Sequence, residues 1–256
     1  NIILLLIIIC FIILFCSMDK KYKLSSDESS LIESTLIIIP CYNMNSSIQS
    51  TITDLKKYFK HILIVDDYSK EKVSNLKFPS DTYIVRHQFN TGQGGAIQTG
   101  IYAFREHFKN LNYFITFDAD GQHRASDAFL MLKKIEEKNL SIITGTRFLS
   151  EQSIKEIPTK KRNFLRIATK IENIITGLSN TDTHNGLRVI NRSFGETIEL
   201  KNFKMAHSTE ILNLAVSQKV SIEEYPVLIK YNHSGQSIFS SLTIVTDLLL
   251  SFLFRK

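Results

Sequence analysis

Between residues 35 and 147, short β-branched apolar runs alternate with stretches whose apolar residues recur at helical spacing, and few folds accommodate that rhythm. TLIIIP (35–40), closed by Pro40, has the composition of a buried parallel strand. A predicted helix follows, with Ile48, Ile52, Leu55 and Phe59 on one face and Ser46 or Ser47 placed to cap it. HILIVDD (61–67) and TYIVRH (82–87) are predicted as the second and third strands. A Gly-rich turn, NTGQGGAIQTG (90–100), leads into a helix with Ile97, Ile101 and Phe104 on one side. NYFITFDAD (112–120) is the predicted fourth strand, residues 125–138 a helix, and LSIITGTR (140–147) the fifth strand. The alternation implies an α/β fold with a parallel sheet and right-handed crossovers. In such sheets ligands gather beyond the carboxyl ends of the strands. Those ends carry Pro40, Tyr42 and Asn43; Asp66 and Asp67; Asp118 and Asp120; and Arg147.

A chain of 256 residues suits one sizeable domain with appendages, and 43% hydrophobic with 22% charged residues is the composition of a folded protein. The appendages are an apolar segment at 1–17, a polar linker at 18–34 and an apolar segment at 238–256, leaving 35–237 as the domain. IILLLIIICFIILFC (2–16) is short of the roughly 20 residues a spanning helix needs. It suits a truncated anchor, a signal-peptide core, or an extension upstream of Met18. Residues 238–256 carry Asp247 mid-segment and end in Arg255 and Lys256, a pattern of an interfacial, membrane-associating helix. The net charge of +6 suits anionic substrates, nucleic acid or an anionic membrane surface, and does not choose among them. Cys10, Cys16 and Cys41 lack metal or disulfide spacing, which points to a reducing, cytoplasmic setting.

Two carboxylates one residue apart on an extended backbone project to the same side, because side chains alternate with a period of two. Asp118 and Asp120 would then repel unless a cation lay between them, and Mg²⁺ is commonly held by one or two carboxylates plus substrate phosphates and water. Gln122 could add an oxygen. The competing reading makes one aspartate a turn cap and the other a solvated strand end; Arg147 at the end of the next predicted strand favours the metal site. Asp66 and Asp67 have two readings as well, as acceptors for a base or ribose or as part of the turn-forming stretch DDYS. The turn at 92–95 lacks both a phosphate-loop Lys and the G-x-G-x-x-G spacing, so its expected role is backbone geometry beside a ligand.

Taken in order, IIIPCYN, ILIVDDYS, NTGQGGAIQTG, FDADGQH, GTRF and DTHNGLRVINR resemble family 2 glycosyltransferases of the GT-A fold, in the branch of dolichyl- or polyprenyl-phosphate sugar synthases. The resemblance covers roughly 35–237. It implies a mostly parallel central sheet flanked by helices, a UDP- or GDP-sugar donor, Mg²⁺ or Mn²⁺, and a polyprenyl phosphate acceptor at the cytoplasmic face of a membrane, without nucleic acid. The implied nucleotide-sugar residues are Pro40, Tyr42, Asn43, Val65, Asp66, Asp67, Gly94, Asp118, Ala119 and Asp120, and the implied metal ligands are Asp118, Asp120 and Gln122. Arg147, Arg162 and Arg188 are the implied phosphate contacts, and Asp118, Asp120 and Arg147 the catalytic set. An acceptor that is already an anion requires no strong general base, so none is assigned; His123 and His184 are expected to form local hydrogen bonds. Some members have Lys where Gln93 stands. Alternatives are an enzyme of this family acting on a saccharide acceptor in cell-surface polysaccharide synthesis, and an inactive membrane-associated binding protein.

Overall fold

The computed structural model describes residues 25–204 and 206–230. The apolar segments predicted at 1–17 and 238–256 lie outside the described residues. By its contacts the chain divides into Asn1–Ser30 and Leu31–Lys256. Part of the predicted linker is ordered as helix α1 (Ser26–Glu33), whose first turn carries Asp27 and Glu28, the charge sign a helix N-terminus favours.

Seven strands form one sheet in the order β3-β2-β1-β4-β6-β5-β7. They are β1 (Thr35–Cys41), β2 (His61–Asp66), β3 (Thr82–Arg86), β4 (Tyr113–Thr116), β5 (Ile142–Thr146), β6 (Arg188–Asn191) and β7 (Ile222–Pro226). Strand β1 pairs in parallel with β2 and β4, β2 with β3, and β5 with β7. The expected mostly parallel α/β sheet is present. β6 departs from it by running antiparallel to both β4 and β5 and lying between them. The ends of β4 and β5 are therefore not adjacent, contrary to the reading that set Arg147 on the strand next to Asp118. β6 is only four residues long and opens with Arg188, too brief and too polar to show as an apolar run. β4 also stops at Thr116 rather than at residue 120; Asp118 and Asp120 sit in the following turn, so strand alternation is not what aims them.

The helices are α2 (Asn45–Leu55), α3 (Gln93–Glu106), α4 (Ala125–Glu137), α5 (Glu151–Glu156), α6 (Thr159–Thr176), α7 (Arg192–Gly195) and α8 (His207–Ser217). Leu36, Ile37, Ile38 and Ile39 of β1 are wholly buried, as expected of a central strand covered on both faces. α3 lies close against β1: a Cβ on Gly100 would come within 2.2 Å of Ile38 Cγ2, so only a glycine permits that approach. Phe104 of α3 meets Phe114 of β4 edge-on, with centroids 5.1 Å apart. α2 starts after Met44 without a side-chain cap. Ser47, a predicted cap, instead donates its hydroxyl to the carbonyl of Ala119 at 2.7 Å, tying α2 to the turn that carries Asp118 and Asp120.

Candidate active site

The loop after β2 is built by its own aspartates. Asp66 is fully buried and accepts from the Ser69 amide (2.9 Å), the Val73 amide (3.3 Å) and the Arg86 guanidinium. Burial would raise its carboxyl, but bonds from Ser69, Arg86 and Val73 hold it below the usual range. Asp67 accepts at Oδ1 from the Thr91 amide (2.7 Å) and hydroxyl (2.9 Å), with His87 Nδ1 at 2.8 Å. Its Oδ2 accepts from the Gly92 amide at 2.8 Å. Both carboxylates are thus engaged within the protein, the turn-building alternative of the sequence reading.

The Gly-rich turn likewise serves packing. A Cβ at Gly94 would lie 2.3 Å from the Asn202 carbonyl oxygen, and Gly92 has φ +90°. Backbone contact with residues 202–203 therefore requires these glycines. Val65 is wholly buried, so its side chain cannot line an open site. Tyr42 is half exposed at the end of β1. Asn43, beside it at φ 55°, accepts from the Lys70 amide at 2.8 Å and so joins the loops after β1 and β2.

The second acidic pair is differently placed. Asp118 accepts from the Gln93 amide group at 3.0 Å and has His123 Nε2 at 3.2 Å. A Cβ on Gly186 would fall 2.5 Å from Asp118 Oδ2, so the backbone after Asn185 passes directly against this carboxylate. Burial pushes the Asp118 carboxyl up, and the His123 hydrogen bond with the surrounding positive charge brings it below the normal range. Asp120 moves the other way: burial raises it and the Asp118 charge raises it further, opposed by the Gln122 amide (3.0 Å), His123 and Lys161. Two carboxylates within range of each other's charge, with neutral amides as hydrogen-bond donors, make an oxygen donor set that fits a hard divalent cation. Among the described residues no group of three or more His, Cys, Asp or Glu could enclose an ion, so its other positions would come from bound phosphate and water. The structure ties Gln122 through its backbone, by the amide on Asp120 and by a carbonyl that accepts from the Lys230 amide at 2.9 Å.

The predicted phosphate contacts are separated by depth. Arg147 is buried and makes a two-pronged ion pair with Asp182, Nε to Oδ2 and Nη2 to Oδ1, each 2.6 Å. Arg188 is also buried; it donates to the Thr183 carbonyl (3.2 Å) and to Ser208. Burial lowers it to about 10, against the charges of Glu172, Asp118 and Asp182. It therefore stands behind Asp118 rather than in front of it. Arg162, near the start of α6, is half buried.

Residues 36–198, well over half the chain, match the glycosyl transferase family 2 profile. The chain belongs to this family. Relatives of the family 2 protein include the UDP-N-acetylglucosamine–dolichyl-phosphate N-acetylglucosaminyltransferase of Methanococcus voltae, 28% identical, with 75% of this chain and 83% of that protein covered. The dolichyl-phosphate beta-glucosyltransferase of Saccharomyces cerevisiae is also 28% identical, over 75% of this chain and 65% of its own length. A solved glucosyl-3-phosphoglycerate synthase of Mycobacterium tuberculosis, in complex with Mn²⁺, uridine diphosphate and phosphoglyceric acid, aligns with a TM-score of 0.61 at 11% identity, over 90% of this chain and 84% of that one. That likeness shows the GT-A fold. The family 2 enzyme is a glycosyltransferase, as its motifs implied.

Several residues around the candidate site are not among those the sequence pointed to. Gln93 reaches Asp118 from the first turn of α3, and Lys161 of α6 lies within electrostatic range of Asp120, Arg147 and Asp182. Asp182 stands inside the quoted DTHNGLRVINR motif, and only the tertiary pairing with Arg147 shows its part. Gln93 was visible in sequence as a departure, an amide where some members have Lys.

Proposed function

We propose that this enzyme transfers a hexosyl unit from a nucleotide-diphospho-sugar to a polyprenyl phosphate at the cytoplasmic face of a membrane, with inversion. The observation that carries the reading is the Asp118–Asp120 pair beside the carboxyl end of β4, one carboxyl lowered and its neighbour raised. A divalent cation bound there would neutralise the donor's diphosphate and stabilise the charge on the leaving nucleotide. The donor reading is supported by the UDP-sugar named for the Methanococcus relative and the uridine diphosphate and Mn²⁺ of the solved neighbour. The acceptor reading is supported by the dolichyl phosphate named for two relatives.

In this reading Asp118 and Asp120 hold the cation, and Gln93 and His123 fix the Asp118 rotamer. Tyr42 offers a ring face to the base, and Asp67 holds the turn that closes the nucleotide side. Lys161 supplies positive potential beside the diphosphate, and Arg147, locked on Asp182, positions that corner. An acceptor phosphate oxygen forms the new bond at the sugar C1 while the bond from C1 to the diphosphate breaks, and the nucleoside diphosphate leaves with the electron pair. The nucleophile is already ionised, so orientation and charge neutralisation carry the step.

Labelled UDP- and GDP-sugars, assayed with Mn²⁺ or Mg²⁺ against polyprenyl phosphate, phosphoglycerate and an oligosaccharide, test this. A labelled lipid product that disappears with chelator is expected. Product formed only on a soluble acceptor would overturn the acceptor assignment, and full turnover in chelator would overturn the cation.

A further inference from the structure

α6 presents two dissimilar faces. Lys161, Leu165, Ala168 and Glu172 recur at i, i+4, i+7 and i+11, and along this side Leu165 and Ala168 are in the core, Glu172 is wholly buried and Lys161 approaches Asp120. Rotated away from that side, Ile167, Ile171 and Ile174 form a ridge at i, i+4 and i+7. Their relative exposures are 61%, 37% and 84%. An isolated exposed isoleucine requires no explanation, but three in register on one helix form a patch of the kind that marks an interaction surface. The ridge is bordered by cations: Lys160, Arg166 and Lys170 are all exposed. Arg166 also lies over the Phe148 ring, 5.5 Å from its centroid, just before exposed Leu149.

We propose that the Ile167–Ile171–Ile174 face of α6 docks on a lipid bilayer bearing anionic headgroups, with the isoleucines in the acyl boundary and Lys160, Arg166 and Lys170 among the headgroups. An apolar ridge with a cationic border is complementary to that surface, whereas a second copy of the same face would set like charges against each other. No acidic residue lies on this face: Glu172, the one carboxylate of α6, points inward. The consequence for the reaction is geometric. The helix that touches lipid on one side carries Lys161 beside Asp120 on the other, so docking brings the site to where a polyprenyl phosphate lies. This surface rests on the polyprenyl phosphate reading for its purpose, but its binding can be measured without any acceptor.

The test is sedimentation of the full chain with vesicles of phosphatidylcholine alone or mixed with phosphatidylglycerol, beside the combined variant Ile167→Gln, Ile171→Gln, Ile174→Gln. These positions are exposed and Gln is a good helix former, so circular dichroism and the melting temperature should be unchanged. The variant should lose about tenfold or more of its partition onto the mixed vesicles, and the parent should bind the neutral ones more weakly. Equal sedimentation of variant and parent would overturn docking through this face. So would a parent that is dimeric in solution, a variant that is monomeric, and no difference between them on vesicles, since the ridge would then be an interface between copies. Turnover on detergent-dispersed polyprenyl phosphate separates the two readings: it should survive in the variant. Ridge-dependent vesicle binding with no turnover on any polyprenyl phosphate would refute the acceptor and leave the surface standing.

Discussion

Two acidic pairs lie at the carboxyl ends of strands on either side of β1, Asp66–Asp67 at the end of β2 and Asp118–Asp120 after β4, and their surroundings differ. The first pair is saturated from within: amides of Ser69, Val73, Thr91 and Gly92 and the Arg86 side chain converge on it. The second has the Gln93 amide, His123 and the Gln122 amide, and each of its aspartates lies within the field of the other. Carboxylates that terminate on backbone amides build loops. Carboxylates left to repel one another are prepared for a cation. Behind the second pair, Arg188 Nε is buried without a hydrogen-bond partner among the described residues, and Glu172 Oε2 faces His184 Nε2 at 3.6 Å.

The largest difference between the pairs should appear in activity. Asp120→Asn should lower kcat about a hundredfold or more while moving the melting temperature by only a few degrees, since the exchange relieves repulsion and removes a ligand of the proposed cation. Measured turnover within a few-fold of the parent would erase the distinction between the pairs.

Glu172→Gln sharpens the contrast through pH. Burial pushes the Glu172 carboxyl up from 4.5 to about 7, so the folded protein holds this proton after the unfolded chain has released it. Its contribution is therefore fully present below about pH 4.5 and is lost as pH rises towards 7, a change of about 3 kcal/mol. Gln cannot ionise, so in chemical denaturation the variant should gain on the parent by about that amount between pH 4.5 and 8. A constant difference across that range would show Glu172 to be already compensated. His184 and His207, lowered by burial to about 4, act in the opposite sense; the difference between the two proteins removes the His207 contribution, while His184, 3.6 Å from Glu172 Oε2, changes its surroundings with the exchange.

The smallest effect is expected where the first pair is altered. Asp67→Asn keeps one acceptor oxygen but loses the charge and the other, and should cost about 2 kcal/mol in urea unfolding, with any loss of activity following the loss of fold. A variant as stable as the parent yet inactive would place Asp67 with the second pair.

The resemblance in sequence reached the family and the sheet class, because buried parallel strands and the order of short motifs are local features. The FDADGQH stretch showed the acidic pair as a candidate, and DDYS showed the turn in which Asp66 accepts from the Ser69 amide. What the pattern did not carry was the insertion of β6 between β4 and β5 and the saturation of Asp67 by a turn more than twenty residues away. Arg147 illustrates the limit: an arginine at a strand end has the same sequence appearance whether it meets a phosphate or, as here, a buried aspartate.

The sequence by itself determined that this chain forms an α/β sheet with carboxylates beyond its strand ends, since apolar periodicity and chain alternation are written residue by residue. Only the tertiary structure decided which carboxylates are engaged by donors from distant parts of the chain. A charge becomes available or is consumed according to the donors that packing brings from distant parts of the chain, and neither spacing nor composition encodes that meeting.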